Sequence, residues 1–574
     1  MNIKIKKVMD MMIYTLVYYL SVKIHRPLKS LFSSSARLSA SPDLFFDIII
    51  PVYKVNRRML RHTLQSVKRQ RYQNWQAILI DANVDRSYLD PLYKRYEQDK
   101  RFTILHLDEN KGISGNTNIG LTHISGQYVV FVDQDDLLDL NALQIIAHTI
   151  IKHDNPDLLY TDEDKIIGYT GLHLTPHFKP DWNPELLLSR NYITHLAIYK
   201  RELIQRTGIL SSECDGSQDY DYVLRASEKA GSIIHIPQVL YHWRIHRLSS
   251  ARKSTVKTYT VEAGRLALER CYTRRNINVV IACDPYYPGL YHTLYQDDAA
   301  LKISLILLPD SSLTQEHVFR LLDHGAAGAS EIIIPDHFFN DEQKILIEKR
   351  YQKSGATVLW DSYAQDRSTA DQYNHLAAKA SCDLFLFMSA GLRPESPEWM
   401  QKLANEAIRD KAGFVAPLIT GNENKIQGPA LAVDRNRGVM YLFNNADADD
   451  YGYFARMKSI QDVTAFTDGC LMIRRSIFYE INQFSQSDAS TMIITALQGN
   501  SHGYKNILVP QVRMKLENSE PGIEEKKQPK KEALAVLPGA DDLIYQHDPY
   551  YPSVFSKNGQ FAFSWNRVYR QFIS

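Results

Sequence analysis

FFDIIIPVY (45–53), WQAILID (75–81), FTILHL (102–107) and YVVFVD (128–133) are short apolar runs rich in β-branched and aromatic residues, separated by stretches with amphipathic spacing such as 58–70. Runs of this length alternating with helical periodicity predict a parallel α/β sheet. In such a sheet ligands gather beyond the carboxyl ends of the strands, where the loops turn outward. Asp81 and Asp133 each close one of these strands, so the pattern that sets the fold also points to a site.

After a helix-like connector from Val256 to Arg275 the pattern starts again with LKISLILLPD (301–310), SEIIIPDHF (330–338), ATVLWD (356–361) and CDLFLFMSAGL (382–392). The strand that ends on Asp133, Asp135 and Asp136 in the first half ends on Ser389, Ala390 and Gly391 in the second. One large unit is used twice, the second time without its charged tip. The expected division is an N-terminal basic segment 1–43, a catalytic domain 44–255, a connector 256–299, a second domain 300–514, and a charged linker with an aromatic tail 515–574. The tail, HDPYYPSVFSKNGQFAFSW (547–565), is expected to pack back onto a domain.

With 574 residues, 44% hydrophobic and 23% charged, the chain needs more than one core and is too apolar to be disordered. A net charge of +2 gives no field for holding nucleic acid. Five cysteines, odd in number and without CxxC spacing, argue against a disulfide framework or thiolate zinc site and fit a cytoplasmic location. At the N-terminus Lys4, Lys6 and Lys7 precede an apolar run from Met11 to Leu20, with Lys23, Arg26 and Lys29 beyond it. The run is shorter than the roughly 20 residues that cross a bilayer. It suits peripheral contact of residues 1–30 with the inner face of the cytoplasmic membrane, Tyr14, Tyr18 and Tyr19 lying at the interface. The rival readings are a helix docked on its own domain and a signal peptide ending near Leu38-Ser39-Ala40.

Three clusters carry chemistry. Asp133-Gln134-Asp135-Asp136 puts carboxylates in a turn where a hard divalent cation, Mn²⁺ or Mg²⁺, can bridge to phosphate oxygens. Asp219, in GSQDYDYVLR (216–225), precedes a helical pattern and is the candidate general base, although Asp219 and Asp221 also suit helix capping. In YHWRIHRLSSA (241–251) an imidazole can complete a metal shell, and Arg244 can meet a diphosphate with its fork of donors. The turn Gly112 to Asn118 can bring backbone and Asn118 to a nucleotide.

Taken in order, IIIPVY (48–53), SVKRQRYQNWQAILIDAN (66–83), GISGNTNIGL (112–121), FVDQDDLL (131–138), GSQDYDYVLR and YHWRIHRLSSA resemble the family 2 glycosyltransferases of the GT-A fold. LLYTDEDKI (158–166) and HFKPDWNPELLLSRNYITHLAIYKREL (177–203) resemble the bacterial branch that builds O-antigen and exopolysaccharide, often rhamnose-rich, some of whose chains carry tandem domains. The resemblance implies a GT-A domain followed by a degenerate GT-A-like one. It makes Pro51, Tyr53, Asp81 and Asp133 nucleotide contacts, with Asp81 at the base, Asp135 and His246 metal ligands, and Asp219 the base of an inverting transfer. The donor would be a UDP- or dTDP-sugar and the acceptor a glycan or lipid-linked glycan. Trp182 and His195 lie in segments expected to face the acceptor. Ala82 stands where the family usually has a second Asp, and Gln218 where it commonly has Glu. The competing readings are a metal-dependent nucleotidyltransferase and a non-catalytic scaffold in a glycan-assembly complex.

Overall fold

In a computed structural model of the protein the described residues are 3–18, 20, 44–246, 256–296, 301–323, 328–352, 355–363, 367–484, 491–517, 543–565 and 567–568. The 38–40 cleavage reading, Tyr19, the basic residues 23–29, the end of YHWRIHRLSSA and most of the charged linker lie outside them. The chain divides into two compact units. The first holds 1–182, 190–296 and 564–574; the second holds Asn183–Ser189 and Asp297–Phe563.

The first unit is built on β1 (Phe46–Val52), β2 (Trp75–Asp81), β3 (Phe102–His106), β4 (Tyr128–Phe131), β5 (Leu137–Leu138), β6 (Leu158–Ile167), β7 (His173–His177), β8 (Ala197–Lys200) and β9 (Ile233–Ile245). Their sheet order is β3-β2-β1-β4-β8-β6-β9-β5, with β7 paired to β6. β1 is parallel to both β2 and β4, while β8 runs antiparallel to β4 and to β6. The order therefore reverses at β1, and the crevice at the ends of β1, β2 and β4 receives Tyr53, Asp81 and Asp133. β1 is buried along almost its whole length because helices cover both faces, which is why it reads as a continuous apolar run.

The GISGNTN stretch is not a loop: Gly112–Leu121 is an α-helix. Asn110 accepts from Gly112 N at 3.2 Å, and Gly112 adopts φ 78°, where a Cβ would lie 2.5 Å from an Asp215 carboxylate oxygen. Gly120 lets this helix approach the sheet, since a Cβ there would meet Ile80 and Ile49 at under 3 Å. Tertiary packing thus overrides a local composition that favours a turn.

The N-terminal helix, Ile3–Tyr18, docks on its own unit. Tyr14 is fully buried and donates to Asp164 Oδ2 at 2.8 Å, Thr15 donates to the His173 carbonyl at 2.6 Å, and Tyr18 stacks on His173 at 3.5 Å. Tyr14 and Tyr18 therefore face protein, which corrects the reading that set them at a lipid interface. No described helix is long and apolar enough to cross a membrane.

In the second unit the sheet order is Thr357–Asp361, Glu331–Pro335, Ile303–Leu307, Leu384–Met388, Cys470–Arg474, Ala412–Thr420, Lys505–Leu516 and Leu392–Pro394. Position by position this repeats the order and the parallel or antiparallel sense of the first sheet. The second unit is thus a GT-A-like copy. Its last strand runs to Leu516, two residues into the stretch read as linker. The tail packs within this unit, Asp548 accepting from Val433 N at 2.6 Å and Arg437 donating to the Tyr551 carbonyl at 2.6 Å.

Candidate functional site

Four carboxylates converge at the ends of β4 and β9 and the start of the helix Gln218–Ser227. Ligand atoms of Asp133, Asp136 and His195 lie within 4.8 Å of one another, and Asp135 Oδ2 is 2.6 Å from His246 Nε2. Asp133's pKa is raised by burial and by the charges of Asp135 and Asp219, against the pull of His195, whose Nε2 is 3.8 Å away. Burial and the charges of Asp135 and Asp133 push Asp136 well above the usual carboxylate range. Concentrated negative charge beside two imidazoles is a donor set that fits a hard or borderline divalent cation.

Asp136 braces the turn: it accepts from Tyr241 OH at 2.7 Å and from Arg244 N at 2.7 Å. Tyr241 OH in turn accepts from Asp133 N at 3.2 Å, and the Tyr241 ring stacks on His195 at 4.8 Å. Gln134 closes the other side, exchanging hydrogen bonds with the backbone N and O of Tyr53. Arg244 is buried rather than extended as a fork. Its Nε and Nη1 donate to the carbonyls of Asp135 and Gly168, and only Nη2 has no hydrogen-bond partner. Two backbone oxygens in reach outcompete an outward pose, so the guanidinium first shapes the turn.

Asp219 lies in the first turn of its helix, its Oδ2 accepting from Asn191 Nδ2 at 2.9 Å. Burial raises its pKa, opposed by His195 and by hydrogen bonds from backbone and Asn191. Gln218 accepts from Gly216 N at 2.9 Å and so fixes the turn ahead of Asp219. Asp221 is tied to Arg225 at 2.7 Å, outside the carboxylate group.

At the neighbouring strand ends, Pro51 pairs with Ile80 and Val52 with Asp81. Asp81 is fully buried; Oδ1 accepts from Asn83 N and Nδ2, whereas Oδ2 has no hydrogen bond and sits 3.4 Å from His106 Nδ1. Asn118 is placed differently from the sequence reading. Both arms of its amide bond the backbone of Leu210, at 2.9 and 2.8 Å, so it braces a loop. Trp182 is half-buried and is the last residue of the first unit before Asn183–Ser189.

Two residues of this centre lie in the stretches LLYTDEDKI and HFKPDWNPELLLSRNYITHLAIYKREL, to which the sequence assigns a resemblance but no role for either residue. Glu163 on β6 accepts from Thr194 Oγ1 at 2.9 Å and His195 N at 3.0 Å. Lys179 is wholly buried; its Nζ donates to the carbonyls of Ile193 and His195, each at 2.5 Å, and stands 3.6 Å from Glu163. Burial works to raise Glu163's pKa, but Lys179, His177 and His195 outweigh it and hold the carboxyl well below its ordinary range. This pair clamps the segment that carries Asn191 to Asp219 and His195 to Asp133. The available signal was a glutamate and a lysine inside otherwise buried stretches, YTDEDKI and HFKPDW, where an ion must find a partner.

Among its described residues the second unit shows no such centre. Ser389 N donates to the Gly469 carbonyl, and the Ser312 hydroxyl lies 3.0 Å from Ser389 Oγ and accepts from Gly391 N at 2.8 Å. Among the described residues, both groups of three possible ligands lie in the first unit.

Part of the chain matches known proteins. Residues 47–208 match Glycosyl transferase family 2. All of this match except Asn183–Ser189 lies in the first unit. Across 83% of its length the chain is 28% identical to an uncharacterized protein, y4gI, of Sinorhizobium fredii, and 26% identical to the O-antigen biosynthesis protein RfbC of Myxococcus xanthus. It spans only 53% and 38% of those two relatives. Among solved structures, Staphylococcus aureus TarS in complex with UDP-GlcNAc aligns at 19% identity and TM-score 0.33, covering 39% of this chain and 65% of that one.

Proposed function

We propose that the chain is an inverting glycosyltransferase of bacterial surface-polysaccharide synthesis, moving a sugar from a UDP- or dTDP-sugar to a glycan or lipid-linked glycan. The observation that carries this is Asp219, a half-buried carboxylate aimed by Asn191 into electrostatic range of Asp133 at the strand-end crevice. Asp219 takes the proton of the acceptor hydroxyl as the new bond forms on the face opposite the leaving diphosphate. Asp135 and His246, with Asp133 beside them, would hold Mn²⁺ or Mg²⁺, which when bound supplies charge neutralisation for the diphosphate. Asp81 offers Oδ2, which has no hydrogen bond, to the N–H of a pyrimidine base, next to the backbone of Pro51 and Tyr53. Arg244 retains the two N–H groups of Nη2 for a phosphate oxygen, and His195 lies where donor and acceptor meet. The second unit, without carboxylates at its tip, is catalytically inert and serves to bind the acceptor or a partner.

The test is a donor screen with Mn²⁺ or Mg²⁺ and a lipid-linked acceptor, with the anomeric configuration of the product read by NMR. Inversion is expected, and Asp219→Asn should lose about 10²- to 10⁴-fold in turnover while still binding nucleoside diphosphate by calorimetry. Retention of configuration, or unchanged turnover in Asp219→Asn, overturns the mechanism. Failure of nucleoside diphosphate to bind at all would favour the scaffold reading, which the uncharged second tip makes the natural rival.

A further inference from the structure

From the exposed face of the N-terminal helix we infer that the protein docks on an anionic lipid surface through Met9, Met12, Leu16 and Leu20. These four are 45%, 69%, 57% and 39% exposed; the spacing of three and four residues puts Met9, Met12 and Leu16 on one line along the helix Ile3–Tyr18, and Leu20 follows just beyond its end. The opposite line is Tyr14 and Tyr18, both buried. Isolated apolar residues on a surface need no explanation, but a continuous stripe on a helix whose other face is bonded down does.

The anchoring is polar and specific. Asp164 Oδ2 accepts from Tyr14, and the same carboxylate bonds His173 Nδ1 at 2.8 Å and His242 Nδ1 at 2.6 Å. The helix is therefore held along the unit with its apolar stripe outward, an orientation that presents the stripe flat to a plane and allows no crossing. Charge selects the plane. Residues 1–42 contain seven Lys and Arg against one acid, Asp10, in a chain of net charge +2, so the excess of positive charge is confined to this end and the rest is net negative. An apolar stripe within a stretch of sequence this basic fits a bilayer carrying anionic headgroups. The chemistry proposed for Asp219 plays no part in the argument.

The experiment is co-sedimentation of the full chain with phosphatidylcholine vesicles with and without phosphatidylglycerol. Binding to the anionic vesicles that weakens as salt is raised is expected. The double variant Met12→Ser/Leu16→Ser changes only exposed side chains, so it should keep the wild-type melting temperature and donor turnover yet bind vesicles at least about tenfold more weakly. Asp219→Asn should bind as wild type, which separates this inference from the proposed mechanism. Absence of binding to anionic vesicles at low salt, or equal binding by the double variant, overturns it. So does a wild-type dimer that the double variant converts to monomer, because the stripe would then be covered by a second copy.

Discussion

Lys179→Met removes a cation that has no access to water and leaves three acceptors behind it: the carbonyls of Ile193 and His195 and the carboxylate of Glu163. Breaking a buried pair by deleting one partner costs about 3–5 kcal/mol, mostly from the charge left uncompensated. Glu163 retains Thr194 and the His195 amide, which places the expected loss near the lower end, about 3 kcal/mol. The sign of the pH dependence is a sharper mark. In the wild type Glu163's folded pKa is depressed, so its contribution is present above the unfolded carboxylate pKa and lost as pH falls. Without Lys179 burial dominates and the folded pKa rises above the unfolded value, so the variant's deficit should be largest at neutral pH and shrink as the solution is acidified. Urea denaturation at several pH values measures both effects. Lys179→Met/Glu163→Leu should be less destabilised than Lys179→Met alone, since no buried charge is orphaned. Turnover should fall in both, because Asn191 and His195 ride on the released segment. A loss under about 1 kcal/mol, or a double variant that is the less stable of the two, would refute the clamp.

Asp135→Asn should weaken Mn²⁺ binding by about tenfold or more, measured by calorimetry with nucleoside diphosphate present. Asp136→Asn, which touches the brace of Tyr241 and Arg244, should lower the melting temperature instead. His235 is buried between Asp162 and Asp181; burial works to lower its pKa, but the two carboxylates hold it up to about 9. With an unfolded value of 6.5 that shift contributes about 3 kcal/mol, fully present below about pH 6.5 and lost as pH rises through about 9. Stability should fall across that window in the wild type, and His235→Gln should lack the slope.

The sequence by itself determined what depends on near neighbours. Strand periodicity and the repeated pattern after Val256 announced two α/β sheets, because burial on both faces imposes continuous apolar runs whatever the distant partner. The carboxylates of 133–136 and Asp219 were legible because each ends a strand or opens a helix, positions that chain-local signals mark. Tertiary structure decided everything that needs two remote segments to meet. Local composition read 112–118 as a turn, but packing of Gly120 on Ile49 and Ile80 makes it a helix. The arginine read as a diphosphate fork turned inward because the carbonyls of Asp135 and Gly168 lie within reach. Tyr14 and Tyr18 turned from an expected lipid to Asp164 and His173, elements some 150 residues away. Glu163, Lys179 and Asn191 lie in family-like stretches that assign them no role, and their roles arise from a hydrogen-bonded clamp that exists only once β6, the 177–196 segment and the helix of Asp219 have been brought together. Hydrophobic periodicity is written along the chain, whereas the satisfaction of buried charge is a property of the folded neighbourhood.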